Sequence, residues 1–221
     1  MSVFVSLGPA QHTLDALNGK TADEARAYLA DLKVEVSAED LMLYSRADNG
    51  VVINASVTPR AGGDAYECGD GCDVFESDTV DLVVSLGSLP DVVGMTASAA
   101  SDALGAKNIA TTTTEEYNNS VEEGHVISVL DRDGGGNWRP GDTMTLVVSL
   151  GPQLFAVPDV TGSNRDQAAK TLRDAGFEPT WNLLWTPFPN GLTEVTGTDP
   201  AAGTMRRAGT QVTLLIRSSG L

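Results

Sequence analysis

The four residues Val-Ser-Leu-Gly recur at 5–8, 84–87 and 148–151, and a worn copy occupies 216–220. Two copies end longer matched stretches, Val80-Asp-Leu-Val-Val-Ser-Leu-Gly87 and Met144-Thr-Leu-Val-Val-Ser-Leu-Gly151. The marker glycines Gly8, Gly87, Gly151 and Gly220 stand 79, 64 and 69 residues apart. Self-similarity at a near-fixed spacing means stacked copies of one small unit rather than a single merged core. The spacing predicts the last strand of a preceding repeat at 1–8, then complete repeats at 9–87, 88–151 and 152–221. Each is roughly 65 to 75 residues, close to the lower size at which a core stands alone.

Because the chain opens inside a repeat, it is expected to be an excised segment, with any targeting or membrane part upstream. No apolar run is long enough to span a bilayer, and no charged-then-apolar leader occurs. The formal charge of −16 divides as −10, −6 and 0 over the three repeats. Nucleic acid is excluded as a partner of the first two, since polyanion binding needs clustered cations. Most of the acidity reads as a solvated surface. The neutral third repeat alone can approach an anionic ligand without a repulsive field.

Cys68 and Cys72 are the only cysteines. Two glycines in the intervening Gly-Asp-Gly let the loop close, and a local disulfide fits an oxidising, extracellular setting. The other reading is a reduced, inert pair. A metal site would want more soft ligands than two. The loop, taken as 64–73, reads as an insertion into the first repeat that adds little to stability, because the closed ring is small.

Each repeat opens with a turn and a helix. The turns are Leu14-Asp-Ala-Leu-Asn-Gly19, Leu89-Pro-Asp-Val-Val-Gly94 and Val157-Pro-Asp-Val-Thr-Gly162. Thr21, Thr96 and Asn164 then stand as N-caps, with Glu24 and Gln167 completing capping boxes in the first and third repeats. Paired apolar positions four apart follow: Ala25 and Leu29, Ala100 and Leu104, Ala168 and Leu172. They predict a one-sided helix lying close on a sheet. Strands are expected at 34–37, 51–57 and 80–84, at 109–114, 125–130 and 144–148, and at 177–185, 192–196 and 212–216. The fold class is therefore α+β, each repeat one helix on a three-stranded, mostly antiparallel sheet. Very short linkers favour an elongated array.

Taken together, these residues resemble the PASTA domain, in three tandem copies over nearly the whole chain. The third copy carries the pattern most fully: Val-Pro-Asp-Val-x-Gly, Gln167-Ala-x-x-x-Leu172, Ala175-Gly-Phe177, Pro200-Ala-Ala-Gly203 and Val212-Thr-Leu. The second has Asp131 in place of a proline, followed by a glycine run. The first has lost its opening proline and gained the insertion, which argues against ligand binding there. The resemblance implies a bacterial extracellular module that recognises muropeptides or uncrosslinked peptidoglycan. It further implies the outer segment of a membrane Ser/Thr protein kinase, non-catalytic itself, with the kinase domain and membrane segment upstream and a ligand-induced dimer of the parent as a further expectation. The other two readings are a spacer within the cell wall, without affinity of its own, and the tail of a penicillin-binding protein.

No catalytic motif occurs, and neither metal nor cofactor is expected. His12 and His125 read as surface residues. Asp131-Arg-Asp-Gly-Gly-Gly-Asn137 reads as a glycine turn, since its fifth position lacks an oxygen ligand for calcium. The ligand site is expected in the third repeat, from Trp181, Trp185, Arg173, Arg206 and Arg207. There Arg206 or Arg207 would grip a carboxylate through two parallel hydrogen bonds, and Trp185 would stack on the ligand. The bland alternative is that one aromatic fills the core and the arginines keep the surface soluble.

Overall fold

The computed structural model describes residues 8–219, so the strand expected within 1–8 and the closing Gly220 lie outside the described residues. The chain divides into two compact units. One comprises the residues up to Thr114 together with His125–Val148, the other Glu115–Gly124 and the residues from Ser149 onward.

The first unit holds two cores. Its elements begin with β1 (Gln11–Thr13), α1 (Ala22–Asp31), β2 (Glu35–Val36) and β3 (Leu41–Leu43). Then come β4 (Val52–Thr58), β5 (Tyr66–Glu67), β6 (Asp73–Phe75) and β7 (Thr79–Ser85). β7 lies between β2 and β4, parallel to β2 and β3 and antiparallel to β4. The second core is built on α2 (Ala97–Gly105), β8 (Ala110–Glu116), β9 (Val126–Val129) and β10 (Thr143–Ser149), with β10 in the middle. In the second unit β11 (Leu154–Ala156), α3 (Arg165–Asp174) and β12 (Glu178–Thr180) are followed by β13 (Thr193–Asp199), β14 (Met205–Arg207) and β15 (Gln211–Ser218). β15 is central, parallel to β12 over three residue pairs and antiparallel to β13 over six.

Among the described residues, the recurring tail thus ends or forms the strand between two others in the main sheet of each repeat, β7, β10 and β15. Flanked on both edges and covered on one face, that strand buries every second residue along its first part, and β10 buries Val147 as well. Val80, Leu82 and Val84 are buried, as are Met144, Leu146 and Val148, and Val212 and Leu214. Helix contacts fall where the spacing placed them, with Ala25, Leu29, Ala100, Leu104, Ala168 and Leu172 all fully buried. The serine of the tail is buried too. Ser85 Oγ donates to Ala47 O and accepts from Gly87 N, both at 2.9 Å. Ser149 Oγ repeats this with Val121 O at 2.7 Å and Gly151 N at 2.9 Å. Gly87 and Gly151 turn away through φ of 79° and 70°, which favours glycine.

Three expectations are corrected. The strand expected over 177–185 stops at Thr180. Asn182 Oδ1 takes the Leu184 N–H at 3.0 Å and starts a 3-10 turn, Leu183–Trp185, instead. The third repeat forms only half its capping box among the described hydrogen bonds: Gln167 N donates to Asn164 Oδ1 at 2.9 Å, with no return bond from the Gln167 side chain. Two further helix-start N–H groups find other acceptors, Arg165 N on Thr193 Oγ1 and Asp166 N on Asn190 Oδ1.

The third correction concerns the cysteine loop. Thr13 pairs with Asp73 and Leu14 N donates to Cys72 O at 2.7 Å. In the third repeat Ala156 pairs with Met205 and Val157 N donates to Thr204 O at 3.0 Å. Cys72 therefore stands where Thr204 does, and Gly71 where Gly203 does. The added residues are the arm before the loop, whose β5 folds back on Ser56 and Val57.

Helix caps and turns depress several carboxyl pKa values. Glu24 is held below its ordinary value by the Thr21 N–H and then the Thr21 hydroxyl, which complete its capping box. The Arg132 guanidinium and then the Arg139 N–H do the same to Asp142. A depressed folded pKa gives stability that is present above the unfolded value and lost as pH falls through the folded one. Thermal unfolding midpoints are therefore expected to hold from pH 7 to about 5 and to fall below about pH 4. Glu24→Gln keeps the side-chain reach without the ionisation and should flatten part of that fall.

Candidate functional site

The residues expected to form the site do not converge: the three arginines fall at one end of the second unit and Trp185 towards the other. Arg206 and Arg207 lie on β14, paired with Phe155 and Leu154 of β11. Thr210 N donates to Arg207 O, which sets β14 beside the start of β15. Gly209 N donates to Gly176 O, bringing the end of α3 and its last-turn Arg173 to the same side. Trp181 follows Thr180, which pairs with Thr213, and packs on the core, while Trp185 lies further along the segment before β13, which Ser219 ties to the far end of β15 through its N–H on Leu192 O. Those eight residues of β15 put the two ends roughly 23 Å apart at the usual strand rise. A single small ligand cannot touch Arg206 and Trp185 together.

At the arginine end, Arg173, Arg206 and Arg207 are all exposed. None has a carboxylate partner among the described ion pairs; Arg206 Nη1 donates to Met205 O at 3.1 Å. Arg207 borders an open cleft of about 390 Å³ with residues 119–123, Gly151 and Pro152. Glu122 and Glu123 also line it, so the cleft carries both signs of charge. An unpaired guanidinium presents a planar fork that suits a carboxylate.

At the aromatic end the organising residue is Arg165, which the sequence reading passed over. Its side chain is only 12% exposed. Nη1 donates to Trp185 O at 2.6 Å and Thr186 O at 3.2 Å, and Nε to Asp166 at 2.8 Å. The guanidinium carbon lies 5.6 Å from the centre of the Trp181 ring. That face of Trp181 is therefore engaged within the protein. Trp185 leans on Phe188, ring centres 5.2 Å apart at 52°. Leu183 and Leu184 beside them are 82% and 73% exposed. Nothing in the spacing of the tryptophans signalled Arg165, because its partners are backbone carbonyls twenty residues away.

The first unit has a further concavity on the uncovered face of its sheet, about 570 Å³, lined by Leu41, Leu43, Ile53, Val83, Asn54 and Glu67 among others. It depends on β3, a strand absent from the sequence reading. The Asp131–Asn137 turn is held by Arg132, which bonds Gly135 O at 2.9 Å and Asp142 at 2.7 Å. Its three glycines all adopt left-handed φ.

Comparison with known proteins follows the repeat pattern. The sequence model of the family described as PASTA domain matches residues 87–150 and 155–218, more than half of the chain. A probable serine/threonine-protein kinase of Bifidobacterium longum is 32% identical over 113 residues, covering 49% of this chain and 15% of the kinase. The serine/threonine-protein kinase PknB of Mycolicibacterium smegmatis is 31% identical over 128 residues, 58% of this chain and 20% of the kinase. The chain thus spans a fifth or less of the length of these relatives. Among solved structures, the three-PASTA-domain of a Ser/Thr kinase from Staphylococcus aureus is 18% identical with a TM-score of 0.44, covering 92% of this chain and 98% of that one. With two successive repeats matched end to end, the chain belongs to the PASTA domain family.

Proposed function

We propose that this chain is the extracellular, wall-facing sensor region of a bacterial transmembrane Ser/Thr protein kinase, and that it binds muropeptide or uncrosslinked peptidoglycan without catalysing a reaction. The observation that carries the reading is the arginine end of the third repeat. Three exposed guanidinium groups without carboxylate partners among the described ion pairs sit on a chain of net charge −16. Unpaired cations on an acidic molecule are suited to a carboxylate-bearing ligand such as a stem peptide. The kinase relatives support the parent's identity. Binding would orient or concentrate the parent at the membrane.

Titration of a muropeptide into the isotope-labelled full chain tests this. Amide shifts are expected to centre on residues 154–156 and 205–207. Arg206→Ala with Arg207→Ala should weaken binding roughly tenfold or more, the scale for losing a charge-assisted bidentate contact. No movement at those amides with millimolar ligand would leave the spacer reading in its place.

A further inference from the structure

The first repeat differs from its siblings at the opening turn, where one backbone N–H has lost its partner. In the second and third repeats an aspartate carboxylate accepts the N–H two residues on. Asp91 Oδ1 takes Val93 N at 3.1 Å and Asp159 Oδ1 takes Thr161 N at 3.0 Å. The Thr161 N–H holds the Asp159 carboxyl below its ordinary pKa. The corresponding residue of the first repeat is Ala16, which has no acceptor to offer, and the N–H in question belongs to Asn18.

That N–H is satisfied from the cysteine loop. Gly69 O accepts from Asn18 N and from Leu17 N, both at 2.9 Å. Cys72 O takes Leu14 N, and Asn18 Nδ2 reaches Asp70 at 2.8 Å. The loop is closed by the Cys68–Cys72 disulfide, and Cys68 is buried in the same core as Leu14 and Leu17. Both glycines are required by the close approach. A Cβ at Gly69 would fall 2.6 Å from the Asn18 side chain, and one at Gly71, where φ is 102°, would fall 2.7 Å from Leu14 O.

We propose that the disulfide-closed turn does the work of the missing aspartate, so that the first repeat keeps its opening turn only while Cys68 and Cys72 are oxidised. The other two repeats, which carry their own aspartate, are indifferent to reductant. In the reduced state a loop with two glycines regains backbone freedom, and Gly69 O is no longer fixed over Leu17 and Asn18. A dithiol effects the change by thiol–disulfide exchange. Its two thiolates attack in turn, Cys68 and Cys72 leave as thiols carrying the two protons, and the reductant closes to its own cyclic disulfide.

Hydrogen exchange on the full chain, before and after dithiothreitol with reduction verified by mass, tests the proposal. Protection at Leu14, Leu17 and Asn18 is expected to drop roughly tenfold or more on reduction, the scale of losing a shared buried acceptor. Ala100, Leu104, Ala168 and Leu172 should keep theirs. Ala16→Asp restores the sibling acceptor and should cut the loss to within about threefold in the reduced chain. Unchanged protection in the reduced wild type would overturn the proposal. So would an equal loss in the third repeat, or an Ala16→Asp chain as sensitive as the parent.

Discussion

Replacing Tyr44 by alanine is expected to lower protection of the second core by roughly a hundredfold, or about 3 kcal/mol, the usual cost of truncating a buried aromatic. Tyr44 follows β3 of the first repeat, yet its ring is 9% exposed and packs with Val92, Leu104, Ile109 and Val126 of the second. Its N–H donates to Trp138 O at 2.8 Å and its hydroxyl to Lys107 O. Tyr44→Phe keeps the ring and should cost only about 1 kcal/mol, one hydrogen bond. Tyr117 is the built-in comparison. Leu150 N donates to Glu116 O as Leu86 N does to Leu43 O, and Asn118 N to Gly151 O as Ser45 N does to Gly87 O. Tyr117 thus holds the matching position but is 54% exposed, so Tyr117→Ala should shift stability by no more than about 0.5 kcal/mol. Hydrogen exchange at Val126 and Leu146 reads both. Equal effects from the two tyrosines would show that Tyr44 is not a shared core residue.

Ser85→Ala should lower the stability of the first repeat by about 2 kcal/mol or more, a large effect for removing one oxygen. The hydroxyl bridges Ala47 O and Gly87 N and also meets Ser45 Oγ at 2.7 Å. Its removal leaves a carbonyl and an N–H without their partner where water has little access. Ser149→Ala should behave alike, since Val121 O and Gly151 N depend on it in the same way. Ser218→Ala, at an exposed strand end, serves as the neutral reference. Urea midpoints with unchanged slopes would register these as changes in stability alone. A neutral Ser85→Ala would mean that the serine recurs for some reason other than this bridge.

The α+β class, the helices and the middle strands were legible because they rest on local signals: a cap, a four-residue spacing, a two-residue alternation. Ala25 with Leu29 and Ala168 with Leu172 needed nothing beyond their own spacing. Other features depend on partners distant in sequence. β1 and β11 are three-residue strands that pair, among the described residues, with β6 and β14, some fifty to sixty residues on. Neither β3 nor the burial of Tyr44 has a local signal, because Tyr44 N donates to Trp138 O, some ninety residues on. The arginines and tryptophans of the third repeat looked like one cluster because two of them are close in sequence. The strand between them keeps the groups apart. Gln167 fits a capping box by spacing, but the helix start gained Asn190 and Thr193 as acceptors from a loop that no local rule placed there.

Within each repeat, the strand between two others in the main sheet is the last to leave the ribosome. Until β7 appears, β2 and β4 have no strand between them to pair with, and the same holds for β8 with β9 and for β12 with β13. Each copy must therefore wait, largely unzipped, for its final eight or so residues and then close in one step, since its sheet consists of non-local pairings. A nascent polypeptide halted just before β10 or β15 should stay open to protease in that copy, while the copy already completed ahead of it resists.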